Sequence, residues 1–217
     1  MRPSVLMSVL NLTKQFVRQA MQVSPAGDAD ATLFAVDGTV GNGHDTLFLA
    51  ELAGAQGHVY GFDIQEAALS NARRRLAAAG VDGRVTLFHA GHEQAGKLIP
   101  PAVHGRVRVA MFNLGYLPGG DRTIVTQPQA TIAALEAVLS MLSTHGIVTV
   151  HVYTGHEGGS AEGAAVFGWA CALPWEAFRV ARYEFCNKTR NGEALLVIER
   201  LAGAGPDFSE PASVQSS

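Results

Sequence analysis

Three groups of polar residues, each at the end of an apolar run, carry atoms that could do chemistry. Residues 37–43 (DGTVGNG) fall between a predicted strand and a predicted helix, where glycines let the backbone approach a ligand and helix N–H groups point into the crevice. The spacing is G-x-x-G-x-G and lacks the G-x-G-x-x-G of a dinucleotide fingerprint, and Asp37 adds a carboxylate at its start. Asp63 ends the next apolar run about 20 residues after Gly43, where a carboxylate can accept both hydroxyls of a ribose. A lone Asp is more often a helix or turn cap, but loop, strand end and spacing here agree on a ligand. Residues 113–121 (NLGYLPGGD) follow a third apolar run, at the strand end where open parallel sheets bind ligands. Asn113 brings an amide, Tyr116 an aromatic ring and Asp121 a carboxylate that can take a proton or simply serve the turn after Gly119 and Gly120.

The elements that must position these groups emerge from periodicity. Val5, Leu6, Val9, Leu10, Phe16, Val17, Ala20 and Met21 recur at helical spacing and predict an amphipathic helix over about 4–22, packed on the remainder of the domain. Strands are predicted at 33–36, 58–62, 85–88, 107–112 and 147–152, and helices at 45–53, 66–79, 127–142 and 159–172. This is the βαβ rhythm of a parallel sheet. Two last strand-like runs, 178–185 and 194–200, flank the turn-forming residues 187–192 and predict an antiparallel pair at one sheet edge. The expected fold is α/β and Rossmann-like: about seven mostly parallel strands, a C-terminal antiparallel hairpin and helices on both faces. Residues 1–201 are expected to form one domain and 202–217, rich in Gly, Pro, Ser, Glu and Gln, a mobile tail.

Composition narrows the function. With 217 residues, 47% hydrophobic and 16% charged, the chain has ample apolar surface for a core, which excludes a mainly disordered or coiled-coil protein. No apolar run is long enough to cross a bilayer. A net charge of −3 argues against coating nucleic acid by charge alone. Two cysteines, Cys171 and Cys186, cannot make a disulfide framework, and no signal peptide is read at the N-terminus, so the cytoplasm is the expected compartment.

The pairs His89/His92 and His151/His156 invite a metal, but no Cys or carboxylate cluster completes a tetrahedral set at familiar spacing, and none is expected. Lys14, Arg18, Arg122, Lys188 and Arg190 are the available phosphate ligands, or solvated charges; Arg73, Arg74 and Arg75 read as a solvated face. Phe16, Phe34, Phe48, Trp169 and Trp175 read as core.

Residues 37–43 also resemble the acid-x-G-x-G-x-G loop of S-adenosylmethionine methyltransferases, with Thr39 replacing the first glycine. The start of 113–121 is similar to the Asn-Pro-Pro-Tyr motif of amino-directed methyltransferases, with Leu114 and Gly115 in place of the prolines. Together with 62–65 (FDIQ) and 153–162 (YTGHEGGSAE), residues 37–46 and 112–121 make the chain resemble the small Class I methyltransferases labelled "putative rRNA methylases", whose characterised members act on tRNA. The chain departs from that family at Thr154, where proline is expected, and at Gly192 and Glu193, where a proline pair is common.

The resemblance implies S-adenosylmethionine as cofactor, S-adenosylhomocysteine as product and no metal. It further implies N-methylation of a wobble 5-aminomethyl-2-thiouridine, with a tRNA anticodon stem-loop as partner. Asp37 would then face the cofactor's ammonium and the amides of Gly41, Asn42, Gly43 and His44 its carboxylate, with Thr39 and Asp45 also binding the cofactor. Asp63 would hold the ribose, Gln65 beside it would contact the cofactor, and His92 and Glu93 would border the adenine. Asn113, shared with the cofactor, would act with Tyr116 and Asp121 in catalysis. Leu114, Gly115, Tyr116, Tyr153 and His156 would face the acceptor. An rRNA or small-amine acceptor, an NAD-dependent oxidoreductase and a non-catalytic cofactor-binding module stay open as alternatives, as does a homodimer; no membrane is expected.

Overall fold

The structure is a computed structural model, and it describes residues 5–22, 32–115, 126–153, 159–188 and 192–203. Its apolar runs form one sheet. Phe34–Asp37 (β1), His58–Asp63 (β2), Val85–His89 (β3), Val107–Leu114 (β4) and Leu142–Tyr153 (β5) pair in parallel, in the order β3-β2-β1-β4-β5. Glu193–Arg200 (β7) runs antiparallel between β5 and the edge strand Phe178–Glu184 (β6), so the C-terminal hairpin closes the sheet as expected.

The sheet reverses direction of build-out at β1 and β4: the chain first steps outward through β2 and β3, then returns to the other side of β1. That switch point opens a crevice at the carboxyl ends of β1 and β4, where the glycine loop and Asn113 both emerge.

Among the described residues, six helices cover the two faces. On one, Val17 of Val9–Gln22 (α1), Leu49 of His44–Ala53 (α2) and Leu76 of Glu66–Ala78 (α3) pack with Ala35, Val59, Val109 and Met111. On the other, Ala95 of the short Ala95–Leu98 (α4), Leu135 of Pro128–Met141 (α5) and Val166 of Gly159–Cys171 (α6) pack with Val36, Phe62, Phe112 and Val150. Each such fully buried Val, Leu, Phe or Met side chain stabilises the fold by roughly 1.5–3 kcal/mol, and their alternation along the strands fixes which residues face which helices.

Three expectations need correction, and one stretch gains elements. α1 starts at Val9, and Val5 and Leu6 lie exposed ahead of it. β5 begins at Leu142, which pairs with Val107 and so cannot end the preceding helix; His145, with φ of 58°, and Gly146 then form an irregular stretch that reads as loop in one dimension. Between β3 and β4, where no element is predicted, short helical turns cover His92–Gln94, Ala95–Leu98 and Pro101–Val103, each too brief to show a period. Trp175 is 65% exposed, stacked against the Arg179 guanidinium instead of buried.

Arg108 was hidden in an apolar run. It is 1% exposed and donates from Nε to the Ala20 carbonyl at 2.8 Å and from a terminal nitrogen to the Thr144 carbonyl at 2.7 Å. It thus caps the carbonyl end of α1 and ties that helix to the sheet, which a cation at a helix C-terminus favours.

Candidate cofactor and acceptor site

The glycine loop leaves β1 and enters α2 through Gly43, whose φ is 76°. A side chain there would meet strain, and its Cβ would sit 2.8 Å from Ala72 of α3, so glycine is required for both reasons. α3 holds the loop from outside: Arg75 Nε donates to the Asn42 carbonyl at 2.8 Å, its other nitrogen lies 3.0 Å from His44 Nε2, and Asn71 Nδ2 donates to Asn42 Oδ1 at 2.9 Å. Arg75 is therefore a clasp on the loop, contrary to its reading as a solvated charge. Asn42 and His44 line a shallow hollow on this outer side, away from the crevice.

On the inner side lies a cavity of about 330 Å³. Thr39, Gly41, Asp63, Gln65, His92, Glu93, Asn113 and Gly115 line it, as do Phe62 and Ile64 of the FDIQ motif and Thr126, Gln127 and Ala130, which no motif marks. Its size falls within the range of small-ligand sites.

Asp63 is organised for a diol. Gly41 N donates to Oδ2 and Gln65 N to Oδ1, both at 2.8 Å, which fixes the carboxylate plane and leaves a lone pair on each oxygen. His92, 8% exposed, lies beside it across the cavity and donates from Nδ1 to the Gly38 carbonyl at 3.2 Å. Burial pushes its pKa down, so the ring is neutral and Nε2 carries a lone pair with no partner among the described residues. An N–H donor such as an exocyclic adenine amine fits that atom.

Asp37 lies beneath the loop and is fully buried. Its oxygens accept from Thr39 N at 3.1 Å and from Thr46 Oγ1 at 2.6 Å. Burial, reinforced by the charge of Asp45, raises its pKa from 3.8 to about 7. Asp37, Asp45 and Asp63 together make the loop region electronegative.

The loop is wired to β4 by two contacts. Thr39 Oγ1 accepts from Asn113 N at 2.7 Å, a bond that the glycine it replaces could not make. Asp45 Oδ2 accepts from Asn113 Nδ2 at 2.9 Å. Because a carboxylate only accepts, the Asn113 amide must turn its NH₂ toward Asp45, and no described residue donates to Oδ1. Leu114 points the other way, into the core, so that only its main chain is left for an acceptor.

The neck of the loop after β4 is closed by Gly115 together with three residues to which the sequence assigned no role. Gly115, with φ of 133°, donates to Thr126 Oγ1 at 3.0 Å and accepts from Thr126 N at 3.1 Å. Thr126 and Thr131 both donate to Glu162, 3% exposed on α6, at 2.7 and 2.8 Å. Glu162 ends the YTGHEGGSAE segment, but only the fold brings it under the loop. Tyr116, Asp121, Arg122, His156 and Arg190 lie outside the described residues, as does Thr154.

Beyond β4, Tyr153 is 42% exposed and stacks on His151, ring centroids 4.1 Å apart. Burial and the charges of Glu193 and Asp45 push its hydroxyl pKa up to about 12. Lys188 pairs with Glu193 at 2.7 Å, while Lys14 and Arg18 lie over the Phe48 ring at 5.2 and 5.0 Å.

Comparison with known proteins places the chain in a family. The sequence model of the family described as "Putative rRNA methylase" matches residues 59–199. A chloroplastic tRNA (mnm(5)s(2)U34)-methyltransferase of Arabidopsis thaliana is 35% identical over 161 residues, 70% of this chain; the match spans 58% of that longer protein. The crystal structure of a "putative rRNA-methylase" from Clostridium thermocellum is 36% identical, covers 91% of this chain and 100% of its own, and superposes with a TM-score of 0.82. That of a "putative methyltransferase" from Streptococcus mutans in complex with SAH is 31% identical, with 91% and 100% coverage and a TM-score of 0.77. Sequence over most of the sheet and topology over nearly all of it thus converge: the chain belongs to the "Putative rRNA methylase" family, on a Class I S-adenosylmethionine-dependent methyltransferase fold.

Proposed function

We propose that the chain is an S-adenosylmethionine-dependent N-methyltransferase whose acceptor is the aminomethyl group of a wobble uridine in tRNA. The observation that carries the cofactor is the set of three carboxylates, Asp37, Asp45 and Asp63, around the glycine loop. A sulfonium compound with an ammonium gains from that field, whereas the pyrophosphate of NAD would be repelled by it. Asp63 supplies two free lone pairs to a ribose, and His92 Nε2 an acceptor to the adenine amine. When bound, the cofactor offers an electrophilic methyl: the amine lone pair forms the N–C bond while the C–S electron pair stays on sulfur, giving S-adenosylhomocysteine.

The protein's part is orientation. Asn113 Oδ1, turned outward by Asp45, accepts from the incoming amine; Gly115, Thr126 and Glu162 hold the neck of the acceptor loop. The wobble uridine comes from the name of the Arabidopsis relative, and Tyr153 supplies an exposed ring for base stacking. Tyr116, Asp121 and His156 are proposed to complete the acceptor side. Both cysteines are free and exposed, and no described helix is long and apolar enough to cross a membrane, which supports a reducing, aqueous compartment.

The test is transfer from methyl-labelled S-adenosylmethionine to tRNA bearing 5-aminomethyl-2-thiouridine, to unmodified tRNA and to rRNA. Label only in the aminomethyl tRNA is expected. Label only in rRNA overturns the acceptor, and tight NAD binding without S-adenosylmethionine binding overturns the cofactor.

A further inference from the structure

His151 has no place in the function argued so far, yet it is among the most constrained polar groups in the molecule. It is 2% exposed on β5, and its register partner on the adjacent strand is Asn113. Side chains of register partners project to one face of a sheet, so imidazole and amide stand side by side at the carboxyl end of β4 and β5. Glu193, the β7 register partner of Tyr153 and so diagonal to His151, accepts from His151 Nε2 at 3.0 Å and is itself held by Lys188. These partners keep the Glu193 carboxyl below its usual range, so it is ionised and can only accept. Nε2 therefore carries the hydrogen, and in the neutral ring Nδ1 carries the lone pair. That Nδ1 is buried and has no partner among the described residues. A buried acceptor without a donor is costly, and it is most simply explained by a donor that arrives with the substrate.

Building on the methyltransferase reading above, we propose that His151 Nδ1 and Asn113 Oδ1 are the two acceptors that seat the substrate nitrogen, and that His151 takes its proton. The substrate is then a primary ammonium. Its N–H bond breaks with the electron pair left on nitrogen, the proton binds Nδ1, and the imidazolium later releases it to water. Glu193 plays the part of a positioning residue: it fixes the tautomer and stabilises the imidazolium as it forms. Four influences set the charge balance at His151. Burial lowers its pKa, Glu193 and Asp45 raise it, and Lys188 lowers it, with the net shift downward. The ring is thus a free base at neutral pH, shielded from water by Tyr153.

Two measurements test this. In ¹⁵N-histidine NMR of the full chain, His151 should appear as the Nε2–H tautomer with a pKa below 6.5; an Nδ1–H tautomer overturns the proposal. In single-turnover transfer to aminomethyl tRNA, His151→Gln should lower the rate at least about 30-fold at pH 7 but recover to within about threefold of wild type at about pH 9.5, where the amine loses its proton unaided. Equal loss at every pH, or an unchanged profile, overturns it while the function stands. Wild-type protein that binds S-adenosylmethionine but methylates only rRNA bases overturns the acceptor and this inference together.

Discussion

Replacing Asp37 with Asn isolates one buried charge with little change of shape. The Asn Oδ1 can still accept from Thr39 N, and Nδ2 can donate to Thr46 Oγ1, since a hydroxyl accepts as well as donates. What changes is the ionisation. In the unfolded chain the carboxyl titrates near 3.8, and in the fold near 7. A folded-state pKa that is raised means the native protein holds a proton the unfolded chain has lost, so stability is highest below about pH 4 and declines until the folded group ionises near 7. At about 1.4 kcal/mol per unit the full decline is about 4 kcal/mol, of which about 2 kcal/mol falls between about pH 5.5 and pH 8.5. Urea unfolding of both proteins at those two pH values should show wild type losing about 2 kcal/mol more than Asp37→Asn, other titrations cancelling in the difference. A cationic cofactor above the loop should pull Asp37 toward its ionised form, so wild-type affinity for S-adenosylmethionine should rise with pH through about 7 while that of the variant stays flat. Parallel stability curves for the two proteins would refute the assignment of a buried, protonatable Asp37.

Asp63→Ala removes the oriented diol acceptor and should weaken S-adenosylmethionine binding by roughly 1.5–3 kcal/mol, about tenfold to a hundredfold by calorimetry. Unchanged affinity would take Asp63 out of the site. Asn113→Ala should lower kcat by about 100-fold with a smaller effect on cofactor affinity, because orientation of the amine is lost and the ribose and adenine contacts are kept; the opposite pattern would misplace the acceptor. Glu162→Ala strands the Thr126 and Thr131 hydroxyls and should cost about 2 kcal/mol or more of stability in urea, whereas Glu162→Gln, which can accept from one threonine and donate to the other, should recover most of it.

How far one dimension reaches is clear from particular residues. A mostly parallel sheet with an antiparallel hairpin at one edge could be expected because apolar runs alternate with helical periods, and the glycine loop announced itself by glycines clustered between a strand and a helix. Asp63 and Asn113 were legible for the same reason: a polar residue ending a buried run marks the carboxyl edge of a sheet.

His151, Glu193, Glu162, Arg108 and Arg75 were not legible as partners. Each acts through a contact 31 to 88 positions away in the chain, such as Arg75 with His44 or Arg108 with Ala20, and no local pattern encodes such a pairing. The direction in which the Asn113 amide points, the tautomer of His151 and the protonation of Asp37 were decided later still. They depend on which neighbour can only accept and on how much water burial removes, and those quantities exist only once the sheet has brought its distant edges together.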